Sequence, residues 1–435
     1  MNICTNDDFP NVHLSVQKTV SSYVLAPSLT SFVLWVLHEA MKSETKRVYF
    51  LARDGYLMYQ TAKLLCERLA LPVECKYLSC SRYSLRIPAF HLDVEEALNY
   101  VCRDSIDVNI TKILKRANLT KEERAKVIAE IDMQLSPTEI IPYTQLPLIK
   151  KTLRNCPLFL SYMNKHSRET FPSAQGYLLQ EGFLDGIKDA IVDSGWVGST
   201  QEILNQLLSK LGRTTNLQGY YWGLYELPRN VQRSEYHSYY FSPEKGLSEK
   251  VYFSNSLFEA IFSAPHGMTL RYEKRGESYW PCYATVSEEK RAFILQMEKN
   301  ICQYTELLLD KKFDISKVDS MANKRIIGKL LKRFMGKPTK QEVEIFGKIL
   351  FADDVLEDDT RLIAADLNEK ELRRHHVFCK ILSMLGVDKR YTKESAWYEG
   401  SAVRTGHFAD YHLFQYSVYK YLLYIRKTYL WRKNE

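Results

Sequence analysis

Two stretches of the chain share one hydrophobic pattern. In the first, an apolar run from Val48 to Ala52 stops at Arg53-Asp54-Gly55, and Leu57, Ala62, Leu64 and Leu65 then recur at helical spacing. In the second, Ala190 to Val192 is apolar, a glycine-bearing break runs from Asp193 to Thr200, and Ile203, Leu207, Leu208 and Leu211 recur in the same way. Each reads as a buried strand, a tight loop and an amphipathic helix. Two more runs, Val73 to Leu78 and Leu217 to Leu227, also read as strands, the former ending in a polar loop from Ser79 to Arg82. Elsewhere the helical period dominates. Ser15 to Met41 predicts a mostly helical segment broken near Pro27, and Val94 to about Gly182 predicts an inserted helical cap. Beyond Leu227 the pattern predicts helices over Arg291 to Leu309, Lys324 to Phe334, Lys340 to Phe351 and His412 to Trp431.

This alternation predicts an α/β fold: a largely parallel, doubly wound sheet with a helical insertion and a mostly helical C-terminal region. The divisions are 1–93 and 183–270 for the two parts of the α/β domain, 94–182 for the cap and 271–435 for the C-terminal region. Composition agrees with packed domains, since 45% of the residues are hydrophobic and 26% charged, with no flexible tract between the parts. The 29 tyrosines supply rings that bury well and also face polar or sugar ligands.

The formal charge of +8 lies mainly toward the C-terminal end rather than in one stripe. That argues against a nucleic-acid binder and leaves room for an anionic ligand or membrane. The nine cysteines are scattered, the nearest in sequence being Cys75 and Cys80, and are expected to be reduced thiols. Residues 1–14 show neither a basic nor an apolar leader segment, and apolar windows such as Phe32 to Leu37 are short for a bilayer. A cytoplasmic protein, soluble or peripheral on an inner membrane, is the expectation.

Open α/β sheets hold ligands at the carboxyl ends of their strands, which is where both breaks lie. The second break opens a helix whose first-turn N–H groups, with the Ser199 and Thr200 hydroxyls, suit a phosphate dianion. Gly195 and Gly198 permit close backbone approach and positive φ. Asp193, at the strand tip, suits sugar hydroxyls.

This arrangement resembles the signature of type I phosphoribosyltransferases, in which an apolar strand ends in acidic residues followed by a loop that cradles the 5-phosphate of phosphoribosyl pyrophosphate (PRPP). The resemblance implies that Asp193 contacts the ribose hydroxyls and that Ser194, Gly195, Trp196, Val197, Gly198, Ser199 and Thr200 form the phosphate loop. Ser194 stands where that family has a second acid. It also implies that Arg53, Gly55, Ser81 and Arg82 face pyrophosphate, with Asp54 assisting Mg²⁺ or accepting a proton. The narrower combination "YVLAPSLTSFVLWV", "YFLARDGYLM", "LSCSRYSLRIP", "VDSGWVGSTQ" and "LFEAIFSAPHG" resembles a bacterial family of surface-polysaccharide gene clusters, often fused to or accompanied by a haloacid-dehalogenase-type phosphatase. Within that family are enzymes that move 5-phosphoribosyl from PRPP onto a growing glycan such as O antigen or capsule. A separate phosphatase then leaves ribofuranose, and other glycosyltransferases extend the chain.

The implied function is therefore Mg²⁺-dependent glycosyl transfer from PRPP to a sugar hydroxyl, with Asp54, Asp193 and Glu259 as candidate general bases. Transfer to a nucleobase or small amine, and a non-catalytic PRPP-binding subunit, are the alternatives. The chain is not equipped as the phosphatase itself, whose paired aspartates stand two residues apart: Tyr56 follows Asp54 at that distance, and Gly195 follows Asp193. Trp196 reads equally as a ribose wall or a packing residue, Arg82 and Arg86 as anion contacts or solvated side chains, and His266 as a loop residue. His375-His376 has no carboxylate at ligand spacing. Asp353-Asp354 with Glu357-Asp358-Asp359 reads as a solvated acidic turn. At the C-terminus, Leu422, Leu423, Tyr429, Leu430 and Trp431 alternate with Lys420, Arg426, Lys427, Arg432 and Lys433. That segment reads as a docked helix or as a surface for an anionic membrane presenting a lipid-linked acceptor.

Overall fold

A computed structural model of the chain describes residues 15–105, 107–131, 136–310, 313–318, 320–352, 360–388, 390 and 392–433. The leader reading of residues 1–14 and the acidic turn at 353–359 lie outside the described residues. The centre is a five-stranded, all-parallel sheet built from β1 (Arg47–Leu51), β2 (Glu74–Leu78), β3 (Asp189–Trp196), β4 (Gln218–Leu224) and β5 (Tyr236–Phe241), in the order β2-β1-β3-β4-β5. Every residue of β1 is buried, as a strand covered on both faces requires.

Alternation along the strands sorts the two faces. Val48, Phe50, Ala190, Val192 and Trp222 join the apolar cluster of α1 (Ala26–Lys42) and α2 (Gly55–Leu69). Tyr49, Leu51 and Ile191 point the other way, onto α4 (Pro157–Gln180) and α5 (Ser199–Lys210). Between β2 and β3 run α3 (Arg82–Ala89), then helices at Val94–Val101, Ile110–Arg116, Lys121–Glu130 and Leu146–Arg154, and finally α4. A separate apolar cluster that includes Leu98, Ile113, Val127, Ile149 and Phe159 holds them together.

Beyond β5 come α6 (Asn255–Ile261), a hairpin of β6 (Thr269–Arg275) and β7 (Ser278–Tyr283), and α7 (Glu288–Leu309). α7 packs against α1, where the Thr30 and Thr305 hydroxyls meet at 3.0 Å. The last helix, α8 (Ala409–Lys433), docks on the body of the protein. Lys420 Nζ donates to Glu399 Oε1 at 3.0 Å, both residues being 7% exposed. Tyr424 stacks on Tyr225, and Arg233 lies over the Trp431 ring.

Several expectations need correction. Strand β3 continues to Trp196 because Gly195 and Trp196 still pair with Gly223 and Leu224 of β4. The first half of the stretch expected as an eight-residue loop is thus strand, its last two residues open α5, and only Val197-Gly198 connects them. Strand β5 and the β6–β7 hairpin occupy a region expected to be helical; the aromatic β-formers Tyr236, Tyr239, Tyr240 and Phe241 were the available signal. The helix expected to run to Phe351 stops at Phe346, and Leu350–Ala352 pairs with Thr360–Leu362.

Nor does the first helix break at Pro27. A π-helical turn, Ser21–Leu25, runs directly into α1 just ahead of the proline, and the chain stays helical through it. The resulting 27-residue helix, Val16–Lys42, has a mean hydropathy of 1.6 over its most apolar window, and 78% of that window is buried. Among the described residues it is the one helix long and apolar enough to cross a membrane. Arg86 is not solvated: it is buried, pairs with Glu96 and lies over the Tyr100 ring. Lys420, read as a surface charge, is in the interior.

Candidate active site

The chain leaves β1 toward β2 on one side and returns to β3 on the other, so β1 and β3 flank the point where the strand order reverses. Crevices outside the carboxyl ends of strands form at such points. The two glycine-bearing breaks of the sequence meet there.

From β1 the chain passes through Ala52 and Arg53, joined by a cis peptide, into α2. Gly55 begins that helix hard against Phe50, and a Cβ there would lie 2.9 Å from the Phe50 carbonyl carbon. Asp54 occupies the cap position without capping the helix, which leaves its carboxylate to accept a hydrogen bond from Ser194 Oγ on β3. The last residues of β3 are bent by positive φ at Gly195 (107°), Trp196 (68°) and Gly198 (74°). At Gly195 a Cβ would fall 2.5 Å from the Gly223 carbonyl oxygen, so glycine is required by both space and φ. No side chain caps α5 after Gly198, so its first-turn N–H groups, beside Ser199 and Thr200, are available to an anion.

Alternation sends Ser194 and Trp196 to the α1–α2 face and Asp193 to the opposite face. The Trp196 ring packs among Tyr225, Phe241, Phe253 and Phe258, and its indole N–H donates to Glu259 on α6. Trp196 is thus a packing residue with one polar tie. Glu259 and Asp193 lie close enough to Asp54, and Glu259 close enough to Asp193, to raise the proton affinity of the two aspartates. The Asp54 carboxyl is pushed well above the usual range by desolvation, then by Glu259 and Asp193, against the Ser194 bond and Arg53. Asp193 is pushed up to about 6, chiefly by desolvation and with a contribution from Glu259, against hydrogen bonds from the Ser194 and Gly195 backbone and the charge of Arg82. Crowded carboxylates of this kind mark a site that gains by receiving a cation or hydroxyl donors.

The charge of Arg53 acts on Asp54 and that of Arg82 on Asp193. Arg82 is exposed at the start of α3, whereas Ser81 caps α3, its hydroxyl accepting from Ser84 N at 2.9 Å and donating to the Thr269 carbonyl at 2.6 Å. Ser81 therefore acts through the position of α3 and Arg82.

Two residues of this neighbourhood, Tyr77 and Tyr283, escaped sequence reasoning, and both meet His266, which the sequence offered only as a loop residue. His266 Nδ1–H donates to the Gly267 carbonyl at 2.8 Å, so Nε2 accepts from the Tyr77 hydroxyl at 2.9 Å. Burial and the nearby Arg53 charge keep this imidazole neutral by lowering its pKa. The Tyr283 ring lies 4.2 Å from that of His266 and its hydroxyl bonds Ser79 at 2.7 Å. Beside them opens a cleft of about 450 Å³ lined by His266, Tyr283, Thr285, Glu288 and Arg291 with Pro265 and Gly267. Nothing in the spacing of these residues pairs them, because β2, the β6–β7 hairpin and α7 meet only in three dimensions.

Among the described residues no group of three or more His, Cys, Asp or Glu side chains is arranged to hold a metal ion. His376 Nε2 instead meets His412 Nδ1 at 2.8 Å, and His375 bonds the Lys393 carbonyl. Comparison with protein-family models finds no match for the chain, and comparison with curated proteins finds none.

Proposed function

We propose that the chain is a glycosyltransferase that moves 5-phosphoribosyl from PRPP to a sugar hydroxyl of a bacterial glycan, on a fold of the type I phosphoribosyltransferase kind. The observation that carries this reading is the convergence of Asp54, Asp193, Glu259 and the uncapped start of α5 at the switch point between β1 and β3. In this reading the donor's 5-phosphate lies against Gly198, Ser199 and Thr200. Each backbone N–H to a charged oxygen there contributes about 1.5–3 kcal/mol, more than the about 0.3–1 kcal/mol of the helix dipole at an exposed site. Asp193 accepts from the ribose hydroxyls, and Arg53 and Arg82 face the pyrophosphate.

Mg²⁺ fits this donor set, because it prefers a few carboxylate oxygens supplemented by substrate phosphates and the repulsion between Asp54 and Asp193 is relieved by a cation. Bound with the donor, it supplies charge neutralisation for the departing pyrophosphate. The chain's own residues do the rest. Arg53 and Arg82 stabilise negative charge developing on the leaving group, and an acid at the crevice takes the acceptor's proton. Glu259 accepts from Trp196 and Asp54 from Ser194, and it is the raised proton affinity of Asp54 that favours it for that step. Attack opposite the α-linked pyrophosphate gives a β-linked product, left for a separate phosphatase.

The cleft beside His266 and Tyr283 suits the acceptor, offering an aromatic face together with Glu288 and Arg291 for hydroxyls. A lipid-linked acceptor would approach from a bilayer, and the solvent face of α8, with Leu422, Ile425, Arg426, Lys427, Tyr429 and Leu430, has the apolar and basic mixture that adheres to anionic membranes. The test is incubation with PRPP, Mg²⁺ and a panel of glycan acceptors. A mass gain of one phosphoribosyl group on an acceptor, with pyrophosphate released, is expected. Absence of both donor binding and product would remove the reading, and transfer to a nucleobase alone would replace it.

A further inference from the structure

Cys66 lies near the end of α2 and Cys75 on β2, the edge strand of the sheet, and their sulfur atoms are 3.6 Å apart. The helix ends at Ala70, whose left-handed conformation (φ 49°) turns the chain back toward the strand. We infer that Cys66 and Cys75 form a reversible thiol–disulfide site that reacts with hydrogen peroxide. Nine positions separate them, so it is the turn between helix and strand, not a short sequence motif, that makes the pair. Both residues are half-buried, and among the described residues β2 has no strand on its outer side, so a small oxidant has access. By contrast, Cys80, Cys102 and Cys156 are buried. The two sulfurs share a contact in which either thiol can donate; with Cys75 donating, the thiolate is favoured on Cys66, whose pKa that bond lowers against the opposing effects of burial and Glu67.

The chemistry runs in two steps. The Cys66 thiolate attacks one oxygen of the peroxide and breaks the O–O bond, giving a sulfenic acid and hydroxide. Cys75, losing its proton, then attacks the Cys66 sulfur and expels the hydroxyl as water. The two thiols lose two electrons and two protons in all, and the peroxide becomes two waters. Closing the sulfurs to a bond of about 2.05 Å needs a shift of about 1.5 Å, small for side chains at a helix end and an edge strand. The bond would tie together the elements that carry Arg53-Asp54-Gly55 at one end and lead to Ser81-Arg82 at the other.

Full-length protein treated with hydrogen peroxide, then digested without reduction, should yield a Cys66–Cys75 cross-linked peptide. The intact chain should lose two hydrogens, its Tm should rise, and dithiothreitol should reverse both changes. Cys66→Ser should abolish the mass change, and Cys75→Ser should leave a sulfenic acid on Cys66 that dimedone traps. A wild-type chain whose Cys66 proceeds to sulfinic acid with no cross-link would overturn the inference. So would a two-hydrogen loss that persists in both variants, or a cross-link between other cysteines.

Discussion

The two ends of β1 and β3 treat charge in opposite ways. At the amino ends every buried charge has a close partner. Arg47, which opens β1, donates to Glu74 at 2.6 Å and to Asp185 at 2.8 Å. Asp189, which opens β3 and is 3% exposed, receives both Arg213 amino groups, at 2.9 and 2.5 Å. At the carboxyl ends of the same strands, Asp54, Asp193 and Glu259 crowd together and two of them are driven to higher proton affinity. The first arrangement holds the sheet together. The second costs stability, and proteins accept such a cost where a ligand will relieve it.

The contrast is most easily broken at Arg213. Arg213→Ala leaves the Asp189 carboxylate buried without its bidentate partner, and should cost about 3–5 kcal/mol of stability while leaving turnover per folded molecule unchanged. Urea unfolding monitored by circular dichroism reads the loss, and equal midpoints for variant and wild type would contradict the assignment. Asp193→Asn should do the reverse. Weakening a charge-assisted bond to ribose should cost about 1.5–3 kcal/mol in transition-state binding, at least tenfold in kcat/KM, while the fold becomes more stable at pH 7.5. The sign follows from the raised pKa. Between the ordinary value of 3.8 and about 6 the folded state holds a proton that the unfolded chain releases, so stability falls as pH climbs through that window. The Tm gain of the variant should therefore be full above pH 6 and fade toward pH 4. In the wild type, kcat/KM should decline as pH drops below about 6.

Smaller effects sharpen the same picture. Gly198→Val puts a branched side chain at φ 74°, where its Cβ would lie 2.8 Å from the Tyr236 ring. Calorimetry should show donor affinity weakened by about tenfold, the equivalent of one lost N–H contact to a charged oxygen. Trp196→Phe keeps a ring in the aromatic cluster and removes the indole donor to Glu259. A loss near 1 kcal/mol in stability, with kcat nearly intact, is expected, and a collapse of kcat would make Trp196 a ligand contact after all.

The features legible in the sequence were those written in local periodicity. Leu57, Leu65, Ile203 and Leu207 announced the two helices, and the apolar runs before them announced β1 and β3. Their glycines marked the crevice. What the sequence concealed depends on pairing over distance. Trp196 looked like loop because only the partner strand, at Gly223 and Leu224, extends β3 that far. Lys420 looked solvated because its partner Glu399 lies on another helix. Truncating the chain before Lys420 would strand that carboxylate in the interior, so the membrane reading of α8 is better tested by substituting Arg426 and Lys427 together and measuring sedimentation with anionic vesicles. Binding should fall in low salt, and unchanged sedimentation would remove that surface.

The embrace of α1 by α7 has a consequence during synthesis. Thr30 waits for Thr305, 275 positions later, and at about 5–20 residues per second the interval is roughly 15–55 s. Throughout it the side of α1 that α7 covers is out of the ribosome without that partner, although α2 and the sheet strands are already there to cover the rest. Nascent chains arrested before Glu288 should consequently bind holdase chaperones through the side of α1 that carries Thr30, and those released after Leu309 should not.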